Sequence, residues 1–207
     1  MRWVISWKEL QGEPCINIDD PPQQRSIMHS RTFTYMTDDI ETLNTYMSNY
    51  AAAAARKLRD QHSVCRTVTV YIITNRHRDN LPQYSNSASM QLTTASSETP
   101  LIIKTALALL AKIYKTGYSY KKAGIILSDI SSDGSVQLDL FVDSQNNYDR
   151  QRRLMAATDS INTRYGMNKI RIASQGFEEP KLNLNCFQPL KNQTTNIDDI
   201  IQVRSTK

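Results

Sequence analysis

The sequence predicts an α+β domain, a four-stranded sheet with two helices on one face, in the order strand, helix, strand, strand, helix, strand. Three observations predict it. Val68, Val70 and Ile72 alternate with Thr67, Thr69 and Tyr71, and Ala88, Met90 and Leu92 alternate with Ser87, Ser89 and Gln91; period-two alternation is the mark of a strand with one core face. Two other stretches carry apolar residues at helical spacing. Both helices need an apolar partner and each strand offers one apolar face, so packing both helices on one side of a sheet satisfies every element.

The elements follow in order. Residues 1–12 read as the end of a helix, with Trp3, Ile5, Trp7 and Leu10 apolar and Gly12 as a stop. Residues 13–26, with Pro14, Pro21 and Pro22, read as a linker. Ile27 to Tyr35 is the first strand. Asp38 and Glu41 have the spacing of a capping box. The helix behind it carries Ile40, Leu43, Met47, Tyr50, Ala51, Ala54 and Leu58, and should end near Asp60 to Ser63. Val64 to Thr74 is the second strand, residues 75–85 a loop, and Ser87 to Thr93 the third strand. A helix after Ser97 buries Leu101, Ile102, Thr105, Ala106, Leu109, Leu110 and Ile113, with Gly117 as its stop. Ser119 to Ser128 is the last strand. Beyond Asp129 the chain turns short and turn-rich. Tyr148 to Tyr165 reads as a helix carrying Leu154, Met155, Thr158 and Ile161, Ile170 to Ala173 as a short strand, and the chain from Phe177 is polar and weakly patterned.

Charge divides the chain. The net charge is +5, but residues 27–128 carry +6, residues 1–26 carry −1 and residues 129–207 balance to zero. A basic segment between neutral flanks is what a phosphate-tracking surface would look like, the alternative being a solvated basic face. The expected sheet leaves one face open, lined by Thr67, Thr69, Ser87, Ser89 and Gln91 with Lys or Arg at the rims, which suits a nucleic-acid backbone. No run of about 18 apolar residues is present to span a membrane, and the start has no signal-peptide pattern. Cys15, Cys65 and Cys186 are far apart and odd in number, fitting neither a disulfide framework nor a zinc site. A reducing, cytoplasmic setting is expected.

Five peptides carry a more specific signal. Ser30-Arg31-Thr32-Phe33, Tyr50-Ala51-Ala52 through Lys57-Leu58-Arg59, Tyr84-Ser85-Asn86-Ser87-Ala88, Tyr120-Lys121-Lys122-Ala123-Gly124-Ile125 and Gln137-Leu138-Asp139-Leu140-Phe141 occur in that order. Together they resemble the C-terminal half of UmuC-type proteins, the polymerase V branch of the Y family of lesion-bypass DNA polymerases. Residues 9–15 resemble the end of that family's thumb, and 162–176 its small C-terminal extension. The resemblance implies four parts: 1–26, thumb end and linker; 27–128, a little-finger DNA-binding domain; 129–147, a clamp-binding segment; 148–207, the extension. It implies a role in error-prone SOS repair. It also implies phosphate contacts from Ser30, Arg31 and Thr32, with Thr67, Thr69, Asn86, Ser87, Ser89, Lys121 and Lys122 facing the same way or at strand ends. Such contacts position a duplex without reading its sequence.

Gln137, Leu138, Asp139, Leu140 and Phe141 form a short peptide with closely spaced apolar anchors. It is similar to the peptide by which bacterial polymerases plug into the β sliding clamp, Gln in one small pocket and Leu with Phe in an apolar one. The UmuD′ dimer and RecA are further partners that the resemblance implies.

Chemistry is not expected of these residues. Phosphoryl transfer needs carboxylates that hold two metal ions, and the family's palm, with its Mg²⁺, lies upstream of any position here. Asp19-Asp20 fall in the linker, while Asp38-Asp39 and Asp198-Asp199 read as helix caps. His29, His62 and His77 are isolated, with no metal spacing, and no Gly-rich phosphate loop is present. No cofactor is expected. The competing expectations are a non-catalytic interaction module for the clamp, UmuD′ or RecA, and a truncated remnant of a longer gene.

Overall fold

A computed structural model of the chain describes residues 24–78, 80–135 and 144–176, together with Trp7 and residues 10–12. The predicted α+β order is present. β1 (Ser26–Thr37) leads to α1 (Ile40–Asp60), then β2 (Ser63–Thr74), β3 (Ser85–Ser96), α2 (Thr99–Ile113) and β4 (Tyr120–Ser132). The four strands form one antiparallel sheet in the spatial order β1-β4-β2-β3. A short 3₁₀ turn (Asp133–Ser135), α3 (Ser144–Tyr165) and a second 3₁₀ turn (Ala173–Gln175) follow.

The core lies between the sheet and the two central helices. α1 contributes Leu43, Met47, Ala51, Ala54 and Leu58; α2 contributes Ile102, Ala106, Leu109 and Leu110. From the sheet come Val68, Val70, Ile72, Ala123, Ile125 and Leu127. The alanines of α1 are buried, and such small side chains let a helix approach its partners closely. Helix–helix contact between α1 and α2 completes the layer.

Several expected boundaries shift. The N-cap of α1 is Asp39, not Asp38: the Asp39 carboxylate accepts from the backbone N–H groups of Glu41 (3.3 Å) and Thr42 (2.8 Å) and from the Thr42 hydroxyl. Asp38 serves through its carbonyl, which accepts from the Tyr114 hydroxyl at 2.6 Å. α2 ends at Ile113, and Gly117, with φ of +86°, belongs to the turn beyond it. β3 and β4 extend past their predicted ends, because pairing within the sheet continues where the sequence turns polar. Ile170–Ala173 is not a strand; it leads into the second 3₁₀ turn.

α3 packs back on α1 through Arg59. Its guanidinium donates to Asp159 at 2.6 and 2.9 Å, to the Ser97 carbonyl at 2.7 Å and to the Thr99 hydroxyl at 3.0 Å. Met155 is buried on this side, whereas Leu154 and Ile161 are exposed. One predicted apolar stripe of α3 is therefore only partly covered.

Candidate nucleic-acid interface

Side chains alternate across a strand, so strand register decides what the open face carries. The pairings line up four rows across the sheet. They run Ser26–Ser128–Thr67–Gln91, Met28–Ile126–Thr69–Ser89, Ser30–Gly124–Tyr71–Ser87 and Thr32–Lys122–Ile73–Ser85. The face away from the helices is thus mostly hydroxyls and amide, with one ammonium. None of these positions is acidic. Exposed Arg25 and Arg66 flank the first row in sequence, and Arg76 and Arg78 stand in the loop beyond the last.

Seven of the ten expected DNA-contact residues share this face: Ser30, Thr32, Thr67, Thr69, Ser87, Ser89 and Lys122. Thr69 and Ser89 hydroxyls lie 2.8 Å apart. The other three do not share this face. Arg31 and Asn86 occupy the two ends of the row Arg31–Ala123–Ile72–Asn86, on the helix side. Each is one residue out of phase with its open-face neighbours, and that reverses its direction. The Asn86 amide donates to the Tyr84 hydroxyl at 2.8 Å. Lys121 falls at the register shift of β4, and its ammonium donates to the Thr34 carbonyl of β1 at 3.0 Å. It ties two strands together instead of facing solvent with Lys122.

Tyr71 and Gly124, not expected as site residues, shape the centre of the face. A Cβ on Gly124 would stand 2.5 Å from the Ser30 Cβ and 2.6 Å from the Tyr71 hydroxyl oxygen. The glycine therefore lets the Tyr71 ring lie down across β4 toward β1. The ring's hydroxyl donates to the Met28 sulfur at 3.9 Å, and the Lys122 ammonium stands 6.0 Å from its centroid. The signal was a glycine inside a strand, which marks close approach of another group.

A second recess lies on the helix side. A cleft of about 820 Å³ runs between the edge of β1, α1, α3 and the turn before Gly176. His29 and Arg31 open onto it beside Lys57. Burial, then the Lys57 and Arg31 charges, hold the His29 pKa below its ordinary value. Burial pushes the Tyr50 phenol up. The Cys65 thiol is likewise pushed up, to about 12, by burial, so it stays protonated and unreactive at neutral pH. Among the described residues no group of three or more His, Cys, Asp or Glu is placed to hold a metal ion, and no helix is long and apolar enough to cross a membrane.

The expected clamp peptide, Gln137, Leu138, Asp139, Leu140 and Phe141, lies outside the described residues. Its flanks are described. Asp133 receives Arg152 of α3 at 3.0 Å, and its backbone N–H donates to the His62 carbonyl at 3.0 Å.

Residues 24–140, which contain the whole sheet, match the family model for the impB/mucB/samB family C-terminal domain. The chain belongs to the impB/mucB/samB family. A second model, a domain of unknown function, matches residues 152–203. UmuC of Salmonella typhimurium is 33% identical over 199 residues, covering 95% of this chain and 46% of UmuC. MucB of Salmonella typhimurium is 37% identical over 172 residues, covering 83% of this chain and 40% of MucB. The chain thus spans less than half the length of these impB/mucB/samB relatives. Among solved structures, an insertion ternary complex of Dbh DNA polymerase superposes with a TM-score of 0.41 at 18% identity, over 63% of this chain and 36% of that one. The UmuC-type resemblance read from the five peptides is borne out.

Proposed function

We propose that this chain is the DNA-gripping, clamp-tethered part of a Y-family lesion-bypass DNA polymerase that acts in SOS repair and mutagenesis. Residues 27–128 form the little finger, 129–147 the clamp-binding segment and 148–207 the extension. The chemistry belongs to a palm with metal-holding carboxylates outside these residues. The observation that carries the reading is the open sheet face, hydroxyl-rich and free of carboxylates in all four rows, with Lys122 above the flat Tyr71 ring. Hydroxyls and an ammonium hold phosphates without distinguishing bases, which is what a polymerase that must accept damaged template needs. Arg25, Arg66, Arg76 and Arg78 extend the positive field past both ends of the face.

Gln137, Leu138, Asp139, Leu140 and Phe141 are the proposed β-clamp contact, supported by their sequence and by their place just after β4. UmuD′ and RecA are partners of the whole protein on this reading.

The test is fluorescence anisotropy with primer–template DNA across a salt series. Binding should fall steeply with salt and be equal on unrelated sequences. Lys122→Ala should reduce the slope of log K against log salt by about one. A flat salt response, or a Lys122→Ala slope equal to that of the parent, would remove the DNA-gripping role from this face.

A further inference from the structure

Two cations of the helix-side cleft have no partner among the described residues. Its floor is one face of α1, where Asn49, Ala53 and Lys57 follow at one-turn intervals. The two carboxylates that line it are engaged, Asp159 by Arg59 at 2.6 Å and Asp60 by Arg56 at 4.0 Å. The side chains of Arg31 and Lys57 make no hydrogen bond or ion pair with any described residue, and both bear on His29. Tyr50 lines the cleft, is 2% exposed, and its hydroxyl has no partner among the described residues. A buried hydroxyl beside two cations, all three without a partner among the described residues, marks a place suited to an acceptor group.

The chain itself arrives at this cleft. Asn49 donates to the Gln175 carbonyl at 2.9 Å, and Arg171 donates to the Gly176 carbonyl at 3.2 Å. The next residues are Phe177, Glu178, Glu179 and Pro180. Asn49 and Lys57 are about 12 Å apart along α1. Three extended residues reach about 10 Å, and the Glu and Lys side chains span the remainder. The second family match, residues 152–203, takes in α3 from Arg152 onward together with this stretch.

We propose that the cleft is the docking site of this chain's own segment after Gly176, with Phe177 on the apolar lining of Ala53, Leu154 and Ile170 and with Glu178-Glu179 facing Arg31 and Lys57. Arg31 then serves the joint between the sheet edge and the C-terminal extension. Docking at this cleft requires neither DNA nor clamp binding.

Disulfide trapping in the full chain tests it. With Cys15, Cys65 and Cys186 replaced by Ala, Ala53→Cys is combined with Glu178→Cys, and in a control with Gln202→Cys. Mild oxidation of dilute protein should join 53 to 178 within one chain, well ahead of the control pair. Arg31→Glu with Lys57→Glu should lower that yield about three-fold, as expected for lost ion pairing at a part-exposed site. Adding Glu179→Lys should restore it. A yield no higher than the control overturns the proposal. So does a disulfide that forms only between chains, which would make a second copy the occupant.

Discussion

Gly124 shows how much one missing methyl group governs. It sits between Ser30 and Tyr71 in the third of the four rows of the open face, on a strand paired on both sides. β4 cannot move away without breaking two ladders. Gly124→Ala should therefore destabilise the domain by about 1–3 kcal/mol through overpacking, read as a lower urea midpoint. It should also tilt the Tyr71 ring off the sheet. His29 offers a second test at this scale. Its folded pKa lies below the ordinary value, so the unfolded chain binds the proton more readily. The sign follows: stability carried by neutral His29 is complete above the unfolded value and is lost as pH falls from about 6.5 toward the folded value. His29→Gln should flatten that part of the stability–pH curve, measured by denaturant unfolding at a series of pH values. An unchanged curve would mean that neither burial nor the Lys57 and Arg31 charges hold the imidazole pKa down.

Among the elements, α3 depends on a few polar bonds more than on an apolar seam. Its exposed Leu154 and Ile161 contribute little to docking, whereas Arg59 of α1 reaches Asp159, the Ser97 carbonyl and Thr99 at once. Arg59→Met keeps much of the side-chain bulk and removes the charge-assisted bonds, each worth about 1.5–3 kcal/mol. Amide exchange should then speed up along α3 while β2 and β4 keep their protection. Equal loosening of both would show that α3 and the sheet unfold as one unit. Much of this level was legible beforehand. The stripes of α1 and α2 and the alternation of β2 appear in the sequence because each buries one face. The cap at Asp39 was missed by one residue, since Asp38 and Asp39 are chemically equivalent and only backbone geometry chooses between them.

At the scale of the molecule, two binding functions are proposed on separate parts, the open sheet face and the peptide 137–141. They should separate by mutation. Leu140→Ala with Phe141→Ala should abolish β-clamp binding in a pull-down or by surface plasmon resonance and leave the affinity for primer–template DNA unchanged. Loss of DNA binding in the same variant would mean that the two surfaces are one. The flanks of that peptide are tied to the rest of the chain, by Asp133 to His62 and Arg152 on one side and by α3 on the other.

The sequence by itself determined the α+β order, the polar face of β2 and β3, the basic middle segment and the UmuC-type kinship. These are local or compositional properties: periodicity, charge and short peptides survive without knowledge of what touches what. Only the tertiary structure decided which of the expected contact residues face together. Ser30, Arg31 and Thr32 are contiguous in the chain, yet the pleat sends Arg31 to the helix side. Lys121 and Lys122 are adjacent, yet the register shift commits one to a carbonyl of β1 and leaves the other over Tyr71. The cleft against α3 had no signature at all, because its walls come from residues more than a hundred positions apart and a sequence pattern carries no record of their meeting.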